Sequence, residues 1–169
     1  MSGFPKLIPA FTAQLFISPP NQVGTLATGT SLTHVTILPD QGFLRSEPGY
    51  PIQLDATVLH GSDYIKGDAD GAHVRLEVAS LLKDKKTGGL LRFCYTGTIE
   101  MGGEAGKVLT GHADAKTTPF GECFTQVSFE TGTPELKALG CKVFVGAGRF
   151  VLEEGKPVAV EYKISQVAH

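Results

Sequence analysis

The residues best suited to acid–base chemistry lie in a dense polar segment that begins at His60. An alternating run of apolar residues precedes it, consisting of Ile52, Leu54, Ala56 and Val58. His60 continues that alternation, which predicts that its side chain faces the interior at the edge of a sheet. Asp63 follows shortly after, and a carboxylic acid near a histidine in an apolar cavity can have a pKa close to neutrality. We therefore expect Asp63 to donate a proton and His60 to act as base or relay. The alternative is that both residues cap a surface loop.

Further polar side chains fall in register with apolar positions of their predicted strands. Tyr95, Tyr162 and Arg149 are in this position. Tyr95 is a second candidate for the base or relay, although ordinary core packing with a satisfied hydroxyl explains both tyrosines as well. Arg75 belongs to a charged row that is either solvated or lines a polar lumen. If they line a pocket, Arg75 and Arg149 could polarise a carbonyl or phenolate oxygen.

Metal and cofactor chemistry find little support in the motifs. The segment from Asp68 to Glu77 resembles part of a calcium loop, but Lys66 stands where the first carboxylate ligand is required. The histidines lack the spacing of a transition-metal site. A dinucleotide fingerprint would need a glycine at Val151, and neither a phosphate-binding loop nor a serine nucleophile elbow is present. We expect no metal and no cofactor.

Composition excludes several classes of protein. The chain has 169 residues, with 15 Lys and Arg against 17 Asp and Glu, so its formal net charge is −2. A nucleic-acid-binding protein usually carries a basic surplus. The 41% hydrophobic content is too high for a disordered chain. The three cysteines have wide spacings, which argues against a disulfide framework. Their apolar or aromatic neighbours predict buried thiols.

The chain also lacks the signals of export or membrane insertion. Its first residues do not contain the apolar core of a signal peptide. An uncharged stretch covers residues 7–39, but Pro19 and Pro20 interrupt it before the roughly 20 apolar residues of a membrane span. We expect a cytoplasmic protein that binds neither nucleic acid nor membrane.

The elements that position the candidate residues are mostly strands. Period-two alternation, typical of half-buried antiparallel strands, covers residues 11–17, 31–37, 52–58, 73–78, 91–99, 107–113, 122–129, 142–152 and 158–165. Polar, glycine-bearing loops separate them. A helix signal occurs at 134–139, where Pro134 suits the first helical position. About nine or ten strands predict one all-β domain over residues 1–169, a closed or nearly closed antiparallel β-barrel with one short helix.

Several short motifs, in this order and spacing, resemble the family of small β-barrel proteins named domain of unknown function 3237. The resemblance covers most of the chain, from about Ile8 to Ile164. The motifs are Pro9-Ala10-Phe11-Thr12, Gly61-Ser62-Asp63-Tyr64, Asp70-Gly71, Thr118-Pro119 and Phe129-Glu130-Thr131-Gly132. The chain departs from the family where tryptophan is usual: Tyr64 follows the Asp, Ala138 replaces a second tryptophan, and the composition contains no Trp.

The resemblance implies a barrel similar in kind to allene oxide cyclase and dirigent-type proteins, which shape reactive substrates in an apolar lumen without a cofactor. Some fungal relatives resemble tailoring enzymes of secondary metabolism. The lost aromatic side chains imply a pocket reshaped around a different substrate. Contacts with that substrate are expected from Tyr64, Arg75, Arg149, Tyr162, Phe129 and Glu130.

Two functions remain open from the sequence. The first is a cofactor-independent cyclase or isomerase of an apolar aromatic, polyketide or terpenoid-derived molecule. One version of this chemistry adds a hydroxyl across an alkene to form a cyclic ether, with Asp63 as the acid and His60 or Tyr95 as the base. The second is a non-catalytic carrier of a hydrophobic small molecule. In both cases we expect a homo-oligomer.

Overall fold

The computed structural model describes residues 3–169, which form one antiparallel sheet of ten strands and two short helices. The strands are β1 (Lys6–Phe16), β2 (Asn21–Thr25), β3 (Ser31–Ile37), β4 (Phe43–Ser46), β5 (Asp55–Gly67), β6 (His73–Asp84), β7 (Leu90–Glu100), β8 (Cys123–Thr131), β9 (Phe144–Val151) and β10 (Ala159–Ala168). The α-helix α1 spans Glu104–Leu109, and a 3-10 helix spans Pro134–Cys141.

Eight of these strands close into a barrel, as the sequence predicts. The strand order is β2-β3-β5-β4-β1-β10-β9-β8-β7-β6, and an additional pairing of β5 with β6 joins the ends of the ring. The long strand β5 pairs along one edge with β4 near its start and with β3 near its end. β3 continues the wall beyond β4, because its buried Ile37 is bridged to Ile17 just after β1, and β2 pairs with β3.

Alternation along the strands separates the lumen from the outer surface. On β7, the side chains of Leu91, Phe93, Tyr95 and Ile99 are buried, whereas Arg92 and Thr96 between them are exposed. This pattern is the one predicted for a sheet whose single apolar face covers a core. It places Tyr95 inside the barrel.

A β-bulge in β5 reverses the alternation just before the polar segment. The pairing with β6 shifts register between Val58 and His60. After the shift, Gly61 is buried and His60 is exposed. The prediction that His60 faces the interior is therefore wrong, because the extra residue of a bulge exchanges the two faces of a strand. The same shift brings Asp63 to the inner face.

The two ends of the barrel differ in how they are covered. At the end where β6 and β8 finish, the buried side chains of Tyr50, Leu54, Leu136 and Leu139 close the lumen. At the opposite end, several apolar side chains pack on the core but are only partly buried. They are Ile17, Ile65, Val74, Val108, Leu109, Leu152 and Val158, and we call this set the apolar mouth.

The segment between β7 and β8 differs from the sequence prediction. Residues 107–113 were predicted to form a strand, but the chain forms α1 there, at Glu104–Leu109. The Glu122 carboxylate accepts hydrogen bonds from the amides of Glu104 and Ala105, at 3.1 and 2.6 Å. This distant carboxylate satisfies amides that a helix leaves unpaired at its first turn, a contact that local alternation cannot predict.

The short helix predicted at 134–139 is confirmed, as the 3-10 helix Pro134–Cys141. The predicted strand 52–58 begins later, at Asp55. No helix within residues 3–169 has the length and apolar character needed to cross a bilayer.

Candidate functional site

Four titratable side chains from different strands meet in the lumen, and we call them the lumen cluster: Asp63 on β5, Tyr95 on β7, Cys123 on β8 and Tyr162 on β10. Tyr95, Cys123 and Tyr162 are buried, with 5, 2 and 2% of their surface exposed. The ring centroids of the two tyrosines lie 4.9 Å apart. Asp63 is half-buried, so it is the least enclosed of the four residues.

Asp63 is held by the backbone of the neighbouring strand. The Glu77 amide donates a hydrogen bond to Oδ1 of Asp63 at 3.1 Å. The paired positions of β5 and β6 pass from Asp63 and Val78 directly to Lys66 and Arg75, so the ladder is interrupted at this point. The hydrogen bond between the Glu77 amide and the Asp63 carboxyl group therefore lies where β5 and β6 are not regularly paired.

Burial sets the electrostatics of the cluster. It raises the pKa of Asp63 from 3.8 to about 7. The amide of Glu77 opposes this increase in pKa, while the Glu77 carboxylate adds to it. Burial also raises the pKa of Cys123 to about 11 and the pKa values of Tyr95 and Tyr162 well above 10. Near neutral pH, Asp63 is therefore the member of the cluster that can exchange a proton readily.

Below the cluster, the lumen is filled by aromatic rings. Phe93 packs against Tyr95 at a centroid distance of 5.3 Å and stacks on Phe129 at 5.5 Å. Phe129 also contacts Phe144 edge-on at 5.1 Å. Phe129, predicted to contact substrate, is therefore inside the barrel but within the packed core, 3% exposed. A ligand of the lumen cluster would meet Asp63 before it met Phe129.

The candidate cations lie on the outer surface, away from the lumen cluster. Arg149 forms an ion pair with Glu161 at 3.0 Å, and Arg75 forms one with Asp68 at 2.6 Å. The prediction that Arg149 shares the apolar face of its strand is wrong, because Gly148 and its alternating partners face inward instead. For Arg75, the structure supports the solvated alternative, since its guanidinium group is exposed.

Tyr64 and Glu130 also lie outside the barrel. The Tyr64 ring is 44% exposed and packs against His34, with ring centroids 5.0 Å apart. Glu130 is exposed and pairs with Arg92 at 2.7 Å. The contacts with His34 and Arg92 do not bring the side chains of Tyr64 and Glu130 to the Asp63 carboxyl group. Of the residues selected from the sequence, the structure groups Asp63, Tyr95 and Tyr162 in the lumen.

A groove on the outer surface of the barrel is separate from the lumen cluster. Gly97, Thr125 and Gly146 are paired neighbours on β7, β8 and β9. The Thr125 side chain fills the space beside both glycines, and a groove of about 820 Å³ on the outer surface is lined by these three residues. Arg75 lines this groove, but Asp63 and Tyr162 do not. The arginine selected from the sequence therefore belongs to a surface separate from the lumen cluster.

Cys123 and Gly148 are the site residues that the sequence analysis missed. All three cysteines were predicted to be buried thiols, but Cys94 is half-buried and Cys141 is exposed. Alternation with Thr125 and Val127 could have placed Cys123 in the lumen. Across residues 3–169, no three His, Cys, Asp or Glu side chains are grouped as metal ligands, and the lumen cluster offers only one carboxylate and one thiol to such an ion.

Comparison with known proteins gives a family and a set of similar folds. The family described as "Protein of unknown function (DUF3237)" matches residues 5–167. No curated protein sequence matches the chain. A β-barrel-like protein from Acinetobacter baumannii superposes with a TM-score of 0.72 at 19% identity, covering 99% of this chain and 98% of the other.

Two further structures share the fold. A conserved protein of unknown function from Rhodopseudomonas palustris has a TM-score of 0.72 and 19% identity, with 99% of each chain covered. An enzyme from Penicillium herquei has a TM-score of 0.61 and 18% identity, with 96% of this chain and 94% of the other covered. Identities this low establish a common fold and leave the function to be argued from the site.

Proposed function

The chain belongs to the family described as "Protein of unknown function (DUF3237)", and we propose that it is an enzyme, a cyclase or isomerase that uses Asp63 as a general acid. The observation that supports this most strongly is the carboxyl group of the half-buried residue Asp63, whose pKa burial raises to about 7. A carboxylic acid with this pKa is partly protonated at neutral pH and can both give up and regain a proton.

Hydrogen bonding distinguishes the two oxygens of Asp63. Oδ1 accepts the Glu77 amide, so the proton of the neutral acid belongs on Oδ2. For a substrate with an alkene and a hydroxyl group, Oδ2 gives its proton to one alkene carbon and the hydroxyl oxygen bonds to the other. The hydroxyl proton then returns to the Asp63 carboxylate. The product is a cyclic ether with the same mass as the substrate, and no other reactant is consumed.

The charge distribution favours a neutral substrate. Among residues 3–169, the nearby cations Lys66, Arg75 and Arg149 lie on the outer surface in ion pairs with Glu77, Asp68 and Glu161. They are not available in the lumen to stabilise an oxyanion. The tyrosine rings instead offer π-faces, which attract positive charge. Protonation of an alkene, which creates positive charge, suits this lumen better than formation of an enolate or phenolate.

The apolar mouth supports the choice of an apolar substrate. Ile65 belongs to the mouth and lies on the same face of β5 as Asp63, about 7 Å away along the strand. An apolar molecule that binds at the mouth and contacts Ile65 would approach Asp63 from water. The Penicillium herquei structure of the same fold is described as an enzyme, which is compatible with catalysis in such a barrel.

The test is an assay of Asp63→Asn with a prenylated phenol as substrate. Asn keeps the shape of the side chain and an oxygen for the Glu77 amide, but it cannot donate a carboxylic proton. Asp70→Asn, in the exposed turn before β6, is the matched control. Because ring closure leaves the mass unchanged, products are separated by chiral chromatography. We expect loss of about 10²–10⁴-fold in rate for Asp63→Asn alone.

Two results would overturn the proposal. One is an unchanged rate of ring closure with correctly folded Asp63→Asn protein. The other is stoichiometric binding of the phenol to the wild-type protein without any conversion, which would indicate the hydrophobic carrier instead.

A further inference from the structure

The inner face of β9 carries no side chain where it passes between two members of the lumen cluster. Gly148 is paired with Cys123 on β8 and with Tyr162 on β10. Its backbone lies outside the left-handed region that favours glycine. Conformation therefore does not explain the glycine, and space is the remaining physical reason.

The Tyr162 ring fills the space that a side chain at position 148 would occupy. A Cβ atom on Gly148 would lie 2.5 Å from Cε1 of Tyr162 and 3.0 Å from Sγ of Cys123. The first separation is far shorter than a carbon–carbon contact allows, and the second is a tight contact. The absent side chain thus forms a notch in the barrel wall, and Tyr162 lies in it.

This notch explains how two distant strands bring their tyrosines together. β8 and β9 separate β7 from β10 in the sheet, so the outer two strands are roughly 14 Å apart along the wall. The ring centroids of Tyr95 and Tyr162 are nevertheless only 4.9 Å apart. Tyr162 reaches Tyr95 because its ring leans over β9 at Gly148 rather than standing upright in the lumen.

We propose that Gly148 is a positioning residue that seats the Tyr162 ring against Tyr95 and Cys123 and so assembles the lumen cluster beside Asp63. Gly148 acts through Tyr162 and does not touch the substrate. The expected effect of Gly148 on turnover rests on the proposed function. Its effect on the positions of the two tyrosine rings does not. The two claims can therefore be tested separately.

The first test observes the rings directly in Gly148→Ala protein without substrate. The chain contains 4 Tyr and no Trp, so its near-ultraviolet circular dichroism includes tyrosine signals without a tryptophan background. We expect Gly148→Ala to reduce the tyrosine band and to leave the far-ultraviolet β spectrum intact. Gly132→Ala is the control, since a Cβ there meets nothing within 4 Å. An unchanged tyrosine band in Gly148→Ala would overturn the proposal.

A second variant keeps the test decisive if Gly148→Ala does not fold. Tyr162→Leu removes the ring that clashes with the new methyl group. We expect Gly148→Ala to cost less stability in a Tyr162→Leu background than in the wild type, because the clash is then absent. If Gly148→Ala costs as much in the Tyr162→Leu background as in the wild type, the Tyr162 ring does not occupy the notch and the proposal fails.

The kinetic test separates positioning from binding. With the prenylated phenol, we expect Gly148→Ala to lower kcat by up to about 10²-fold while KM changes little, because a displacement of roughly 1 Å can have this effect on rate. Equal kcat values for Gly148→Ala and wild type would contradict the catalytic part. If Asp63→Asn retains full activity but the tyrosine band still responds to Gly148→Ala, the proposed function fails and the positioning claim stands.

Discussion

The backbone amide of Glu77 donates a hydrogen bond to Oδ1 of Asp63 at 3.1 Å. A main-chain donor cannot rotate away, so this bond fixes the orientation of the carboxyl group. At the same time, burial disfavours the charged form strongly enough to raise the pKa of Asp63 to about 7 despite the hydrogen bond. The protein thus holds a neutral acid in a defined direction, which is the basis of the proposed acid catalysis.

Asp63 should reduce the stability of the folded protein at alkaline pH. Its pKa is about 7 in the folded state against the ordinary value of 3.8, so the folded protein binds more protons between these values and stability falls as pH rises. The full effect is on the order of 4 kcal/mol above pH 7, and partial exposure reduces it to roughly 2 kcal/mol. Asp63→Asn should therefore exceed the wild type in free energy of unfolding at pH 8.

Urea denaturation at two pH values measures this effect. Near pH 4, where Asp63 is protonated in the folded state, the wild type and Asp63→Asn should have similar midpoints. An Asn variant that is equally stable or less stable at pH 8 would argue against a buried, destabilised carboxylate.

The outer polar side chains should contribute little to turnover. His60→Ala and Arg149→Ala remove groups that lie outside the lumen, His60 because of the β5 bulge and Arg149 because of alternation on β9. We expect each variant to keep its rate on the prenylated phenol within about threefold of wild type. The exposed substitution His60→Ala should change stability by less than about 0.5 kcal/mol. A loss for His60→Ala comparable with that of Asp63→Asn would restore the sequence-based assignment of His60 as base.

Glu122 should hold α1 in place at the mouth end of the barrel. Its carboxylate accepts the amides of Glu104 and Ala105, and charge-assisted bonds of this kind contribute about 1.5–3 kcal/mol. Glu122→Ala should therefore accelerate amide hydrogen exchange in 101–111, with the exchange of β6 and β7 unchanged. The exposed Glu154 offers a control, Glu154→Ala. Protection of α1 that persists in Glu122→Ala would show that packing alone holds the helix.

Asp84 should make the protein sensitive to acid. Burial raises the pKa of this carboxyl group, but hydrogen bonds from Thr87, Asp55 and Lys86 outweigh burial and bring the pKa below 3.8. A lowered pKa contributes stability above the unfolded value that is lost as pH falls through the folded value. Asp84→Ala should cost about 1–3 kcal/mol at pH 7, because buried amides lose their acceptor.

The stability difference between wild type and Asp84→Ala should shrink as pH decreases below 4. Thermal unfolding at pH 7 and pH 3 measures it. A difference that stays constant between these two pH values would mean that the ionised form of Asp84 adds no stability.

Sequence patterns predicted the barrel and the inward-facing positions of two members of the lumen cluster. Alternation on β7 and β10 placed Tyr95 and Tyr162 inside because those strands run without a register shift near the tyrosines. The same reasoning failed for His60, since a bulge has no signature in apolar alternation and one inserted residue exchanges the faces. It also failed for Arg149, because Gly146 and Gly148 lack side chains that would have marked the inner face of β9.

Other features depend on contacts between residues far apart in sequence. The helix α1 replaces a predicted strand because Glu122 supplies acceptors for its first turn. The pKa of Asp63 depends on burial by the whole barrel, and the Tyr95–Tyr162 contact depends on Gly148. These arise from the closed sheet, so a local reading of the sequence contains no signal for them.

The proposed function depends above all on Asp63, an acid in the lumen that exchanges its proton near neutral pH. Titration of its side-chain carboxyl carbon by carbon-13 nuclear magnetic resonance, assigned with Asp63→Asn, measures this directly. We expect a midpoint of about 7, well separated from those of exposed aspartates near 4. A midpoint near 4 for Asp63 would contradict it.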